Sequence, residues 1–206
     1  MEQFKPADRL VRAGEHVFAE GETPGHVHTM KSGWVMLYSL LADGRRHIHE
    51  FCVRGALLSF GMEPDQPAPY SAQALTDAMI CALPRPEISD MLREIPDMAM
   101  SLACLAARGQ TRAFRQSVDV GHRSARERVA GLLLDLVDRA RAAGEATDDP
   151  SAELRLPVTQ EQIGDALGLT PVHVNRTLRK LRDEDLVWMR AHRLRVVDPA
   201  GLAAAA

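Results

Sequence analysis

The period of apolar positions changes twice along this chain. Between residues 10 and 85, short apolar stretches alternate with Gly14, Gly21, Gly25, Gly33, Gly44, Gly55 and Gly61. Trp34-Val35-Met36-Leu37-Tyr38 and His47-Ile48-His49-Glu50-Phe51 read as strands, with Asp43-Gly44 as the hairpin turn between them. Many short strands punctuated by glycine predict a small β-barrel or roll. Residues 62–70 hold Pro64, Pro67 and Pro69 and read as a loop. Pro96 then opens a long helix running to about Val120. Along it Ala99, Leu102, Ala106, Gly109, Ala113, Gln116 and Val120 alternate at spacings of three and four, a heptad seam of small residues. Gly109 in mid-helix costs about 1 kcal/mol relative to alanine, which close approach of a partner helix would offset. The seam therefore predicts a homodimer, and packing of the same stripe on the roll is the alternative. Gly121 is expected to break the helix. Residues 124–143 form another amphipathic helix, with Val129, Leu132, Leu133, Leu136 and Val137 inward, and residues 145–152 read as a polar linker.

The third regime is the most specific. Thr159, followed three residues later by Gln162, opens a short helix as a capping box. Ile163, Ala166 and Leu167 share its inner face, and Gly168 stands where a left-handed cap ends it. Thr170 is a suitable N-cap for the next helix, and Pro171 takes its first position, where the missing N–H costs nothing. Val174, Leu178 and Leu181 face inward, so Val172, Asn175, Arg176 and Arg179 point outward together. A short helix, a three-residue turn and a second helix with a polar, basic outer face fit a DNA major groove. Residues 186–190 and 194–197 read as two strands joined through Ala191-His192-Arg193, which adds a wing.

Charge sharpens this reading. The 206-residue chain carries 25 basic and 28 acidic side chains, a net of −3. Residues 171–195, however, carry seven Lys/Arg against three acids, a local net of about +4. Phosphate binding needs such a local patch, not a basic protein. The length allows one or two domains. The opening residues MEQFKPADRL lack an apolar signal region, and no apolar run approaches a membrane span, so a cytoplasmic, non-membrane protein is expected. Cys52, Cys81 and Cys104 lie far apart and form no CxxC pair, which argues against a disulfide framework or a zinc knuckle.

In this order, a glycine-punctuated roll, a long helix and a winged helix-turn-helix resemble the Crp/Fnr family of bacterial transcription regulators. GLTPVHVNRTLRKLR is close to a family signature, and Gly14-Glu15, Phe18, Gly21, Ser32-Gly33 and Asp43-Gly44-Arg45 fit the usual punctuation of the roll. The resemblance implies an α+β chain with three parts. Residues 1–94 form an N-terminal β-roll (double-stranded β-helix or jelly-roll-like) as sensor, 95–120 a dimerisation helix, and 121–206 the winged helix-turn-helix. It implies a homodimer reading a palindromic promoter site in double-stranded DNA, with RNA polymerase as partner if it activates. Arg176 would contact a guanine edge, and Asn175 an adenine edge or a phosphate. Arg179 and Lys180 extend the basic face. Thr159, Gln160, Thr170, Pro171 and His173 lie at helix starts, where phosphates are met. Members that read a TGTGA-like or TTGAT-like half-site carry a glutamate four residues before the arginine; here Val172 stands there, able to contact a thymine methyl but not a cytosine amino group.

The same resemblance bears on the signal. Members that bind cyclic nucleotides use a glutamate after the cassette glycine and an arginine before Ser/Thr-Ala. This chain has Ala56 after Gly55 and Tyr70 before Ser71-Ala72, which argues against cyclic AMP. Oxygen-sensing members use an N-terminal cysteine cluster, and with no cysteine before Cys52 an iron–sulfur cluster is not expected. Haem through His47, His49, Cys52 or Cys81 stays open, and the effector is unidentified or absent. The competing class is a metal-binding, cupin-like enzyme roll fused to a DNA-binding domain, because His26-x-His28 and His47-x-His49 each place two imidazoles on one strand face. No glutamate follows His28 at ligand spacing and no catalytic triad stands out, so a non-enzyme is expected.

Overall fold

The computed structural model describes residues 7–59, 66–145 and 152–206. Residues 62–65 of the proline loop, with Pro64, and 146–151 of the polar linker lie outside the described residues.

Seven strands build the roll: β1 (Ala7–Val11), β2 (His16–Phe18), β3 (His26–Ser32), β4 (Val35–Leu40), β5 (Arg46–Cys52), β6 (Ser71–Ala74) and β7 (Ala78–Pro84). They form two sheets, ordered β1-β7-β3 and β2-β6-β4-β5. The paired registers recorded for both sheets are antiparallel. Strand β7 alternates, with Ala78, Ile80 and Ala82 inward, as a period of two requires. Strand β4 instead buries Val35, Met36, Leu37 and Tyr38 in succession. Val11, Phe18, Met30, Val35, Leu37, Leu58 and Ile80 pack the core between the sheets. Gly33 turns β3 into β4 at a φ of +84°, and a Cβ there would stand 2.5 Å from the Asp77 carbonyl oxygen. No other residue fits that turn.

Helix α1 (Arg85–Glu94) follows β7, and α2 spans Pro96–His122. Glycine does not stop α2 at position 121. One glycine costs only about 1 kcal/mol in a helix, and the chain turns instead where Ser124 caps α3 (Ala125–Ala142) with a full capping box to Glu127. Short strand β8 (Leu154–Arg155) precedes α4 (Gln160–Leu167), α5 (Pro171–Asp183), β9 (Val187–Arg190), β10 (Arg193–Val196) and α6 (Pro199–Ala204). The wing is three-stranded, ordered β8-β10-β9. Arg193 pairs with Arg190 inside the ladder, so the turn is only Ala191-His192.

The chain divides into two compact units. One holds residues up to 40 together with 49–115; the other holds 41–48 and 116–206. Within the second, Val129, Leu133, Leu136, Leu156, Ile163, Leu181, Leu194 and Leu202 are all fully buried. Arg46, in its 41–48 segment, pairs with Asp165 of α4 at 2.7 Å. Among the described residues no helix is long and apolar enough to cross a membrane.

Candidate nucleic-acid interface

Local chemistry sets the angle between α4 and α5. Thr159 Oγ1 accepts from the Gln162 N–H at 3.1 Å, and Gln162 Oε1 accepts from the Thr159 N–H at 2.8 Å. Gly168 closes α4 at φ 64°. Thr170 caps α5 by accepting from the His173 N–H at 3.3 Å, with Pro171 at the first helical position. Gly164 lets the turn close. Its carbonyl accepts from the Leu169 N–H, and a Cβ on it would stand 2.5 Å from the Leu169 carbonyl oxygen. Ile163, Val174 and Leu181 are fully buried at this junction, with Ala166, Leu167 and Leu178 close behind.

Burying those positions projects the others. Val172 is 69 % exposed, and Pro171, His173, Asn175, Arg176, Arg179 and Lys180 are exposed beside it. Among the described residues, Arg176, Arg179 and Lys180 have no carboxylate within 4.0 Å. Two other arginines of this unit are paired: Arg126 holds Glu184 at 2.5 Å, and Arg193 holds Glu153 at 3.2 Å. The Arg126 guanidinium keeps the Glu184 carboxyl below the usual range. Asn175 Nδ2 donates to Gln160 Oε1 at 3.0 Å, tying the reading helix to the start of α4. On the wing, Arg195 lies 5.9 Å from the Trp188 ring centroid. The tip residues Ala191 and His192 take left-handed φ values of 50° and 61°, the backbone that a two-residue hairpin demands.

Residues 127–205 match the Crp-like helix-turn-helix domain, and residues 8–94 match the cyclic nucleotide-binding domain. The transcriptional activatory protein AadR of Rhodopseudomonas palustris is 34 % identical over 96 % of this chain and 81 % of its own length. The chain belongs to the Crp/Fnr family of transcription regulators. A nitrogen fixation regulation protein FixK of Bradyrhizobium diazoefficiens is 31 % identical, covering 100 % of this chain and 85 % of its own. The solved structure of FixK2 from Bradyrhizobium japonicum overlays with a TM-score of 0.85 at 26 % identity, over 98 % of this chain and 97 % of that one. As a Crp/Fnr-type regulator the protein carries a DNA-binding helix-turn-helix, and these relatives do not fit the metal-enzyme alternative.

Gly55, Ala56 and Tyr70, which the sequence set against a cyclic phosphate, make contacts within the roll. The Gly55 N–H donates to the Met30 carbonyl at 2.9 Å and the Ala56 N–H to the Val53 carbonyl at 3.0 Å. The Tyr70 hydroxyl donates to the Leu58 carbonyl at 3.1 Å, and its ring lies 6.1 Å from both Phe18 and His49. The paired histidines of β3 also differ from an open ligand pair. His26 is exposed, whereas His28 is buried beside Ser59, and burial pushes its pKa down to about 4. No group of three His, Cys, Asp or Glu side chains able to hold a metal occurs among the described residues. Cys52 is buried, Cys81 half-buried and Cys104 exposed, and none of the three is in a disulfide.

The α2 seam divides. Leu102, Gly109 and Gln116 are half-buried within their own chain, where Gln116 donates to the Ala166 carbonyl at 3.4 Å. Ala99, Ala106 and Ala113 are exposed. Ala103 and Ser117 share that exposed stripe, flanked by Met100 at 68 %, Phe114 at 65 % and Val118 at 52 % exposure. The side chain of Val120 lies outside the described residues. Sequence reasoning passed over Ala103, Phe114 and Val118 because a heptad pattern in a chain rich in alanine has two equally plausible phases. It also passed over Arg182, whose place beside the wing follows only once β9 folds back along α5.

Proposed function

We propose that this regulator is a homodimer that reads a palindromic promoter site, each α5 entering one major groove. The observation that carries the reading is the outward face of α5, where Arg176, Arg179 and Lys180 stand exposed with no carboxylate within 4.0 Å among the described residues. Arg176 pairs with a guanine through its O6 and N7 acceptors. Val172 packs on a thymine methyl, and Asn175, steadied by Gln160, takes an adenine edge or a phosphate. Arg179 and Lys180 bind backbone phosphates, as do Thr159, Gln160, Thr170, Pro171 and His173 at the two helix starts.

Dimerisation runs along the exposed stripe of α2 through Ala99, Ala103, Ala106 and Ala113, with Phe114 and Val118 at its margin. The roll works without a cyclic nucleotide, because Tyr70 fills the place of the phosphate-pairing cation and the Gly55 and Ala56 amides are already engaged. RNA polymerase is the further partner at promoters the protein activates, a reading supported by the activator among its relatives.

Selection of DNA ligands from a random library, with no effector added, tests this reading. An enriched palindrome with half-sites about one helical turn apart is expected. Sequence-blind, salt-sensitive binding alone would overturn it. Added cyclic AMP should change neither the selected site nor the melting temperature.

A further inference from the structure

A hollow of about 100 Å³ lies beside the reading face of α5, between that helix, the first residue of α4 and strand β9. Leu178, Val187 and Met189 make its floor, and Arg179 and Arg182 stand with Gln160 and Asn175 on its rim. The two arginines are three residues apart, so both heads lie on the flank of α5 that faces the wing. Arg179 has no carboxylate within 4.0 Å among the described residues, and Arg182 has only Asp183 at a loose 3.8 Å, both of that pair more than half exposed. Gln160 spends its amide oxygen on Asn175, which leaves its NH₂ group as a donor at the rim. The hollow therefore presents two guanidinium forks and an amide donor over an apolar floor. That is chemistry for a phosphate oxyanion.

We propose that this hollow seats a backbone phosphodiester of the bound DNA, with Arg182 as an anchor additional to the reading face. The proposal rests on the reading of α5 as the DNA-binding helix. A phosphate held here contacts α4, α5 and the wing at once, so one contact fixes the register of the whole unit on the duplex. It carries no base information.

The test is a salt titration of binding by the full-length protein, on its selected duplex and on a scrambled one. Each lost phosphate contact lowers the slope of log K against log salt by about 0.9. Arg182→Ala should remove about that much per protomer, weaken both duplexes by the same factor and leave their ratio intact. Arg54→Ala, which deletes an exposed charge on the roll, should leave the slope unchanged. An unaltered slope in Arg182→Ala with an unaltered melting temperature would overturn the proposal. A changed base preference would equally overturn it, by making Arg182 a reader of bases. If the wild type itself shows no preference between the duplexes, the reading of α5 has failed, and the wild-type arm reveals this before any variant is compared.

Discussion

Lowering the pH from 7.5 to 4.5 should weaken the roll through one side chain, His28. The residue is 6 % exposed, and its ring is hydrogen-bonded to Ser59 Oγ at 3.2 Å. Desolvation, reinforced by His26 on the same strand, Arg9 of β1 and Arg85 of α1, lowers its pKa from 6.5 to about 4. All three of these neighbours act in the same direction as the burial. Well above pH 6.5 the imidazole is neutral in both folded and unfolded chains and contributes little pH dependence. Between 6.5 and 4 the unfolded chain takes up a proton that the folded roll refuses, and stability falls as the pH falls. A depression of this size corresponds to about 2 kcal/mol lost at pH 5 and about 3 kcal/mol below pH 4. Urea unfolding, followed by the fluorescence of buried Trp34 in a Trp188→Phe background, reports on the roll alone, since the chain has two tryptophans. The acid-sensitive part should vanish in His28→Gln, leaving only the shallower contribution of surface carboxylates. Parallel stability-against-pH curves for the two proteins would refute the reasoning.

Three further outcomes are expected. Arg176→Ala should cost about 1–3 kcal/mol per half-site and abolish preference for the selected palindrome; undiminished discrimination in a competition assay would mean that another residue reads the site. Gly164→Ala should destabilise the DNA-binding unit by about 1–3 kcal/mol, because the added methyl meets backbone, the Leu169 carbonyl at 2.5 Å; a melting curve unchanged from wild type would contradict the close approach. In sedimentation equilibrium, Ala106→Glu should weaken dimerisation by about 100-fold. Gly109→Ala should leave it unchanged in the same experiment, since a Cβ there meets only the Arg112 guanidinium at 3.8 Å. The reverse pattern would return the seam to the Leu102, Gly109 and Gln116 phase.

The DNA-binding half was legible in the sequence because its signals are local. A Thr–Gln capping box, a glycine at the cap, and a Thr-Pro helix start each act within four residues, so residue type alone fixes the backbone. Once two such helices are fixed, the period of 3.6 decides which side chains face out. That is how Val172, Asn175, Arg176 and Arg179 were placed before any contact was known. The strands of the roll were legible in outline for the same reason, through Asp43-Gly44 and the alternation around it. Three things were not legible. Strand β8 has only two residues and exists because the ladder of β10 offers it partners. The burial of His28 beside Ser59 depends on residues more than ten positions apart. The phase of the α2 seam was likewise undetermined. Alanine and glycine support a helix on any face, and only the folded chain leaves Leu102, Gly109 and Gln116 half-buried while Ala99, Ala103, Ala106 and Ala113 stay exposed. Sequence thus determined what short-range hydrogen bonds and periodicity can specify. Tertiary structure decided the rest, because burial, desolvation and the choice between equivalent faces are set by which distant surfaces come to lie against one another.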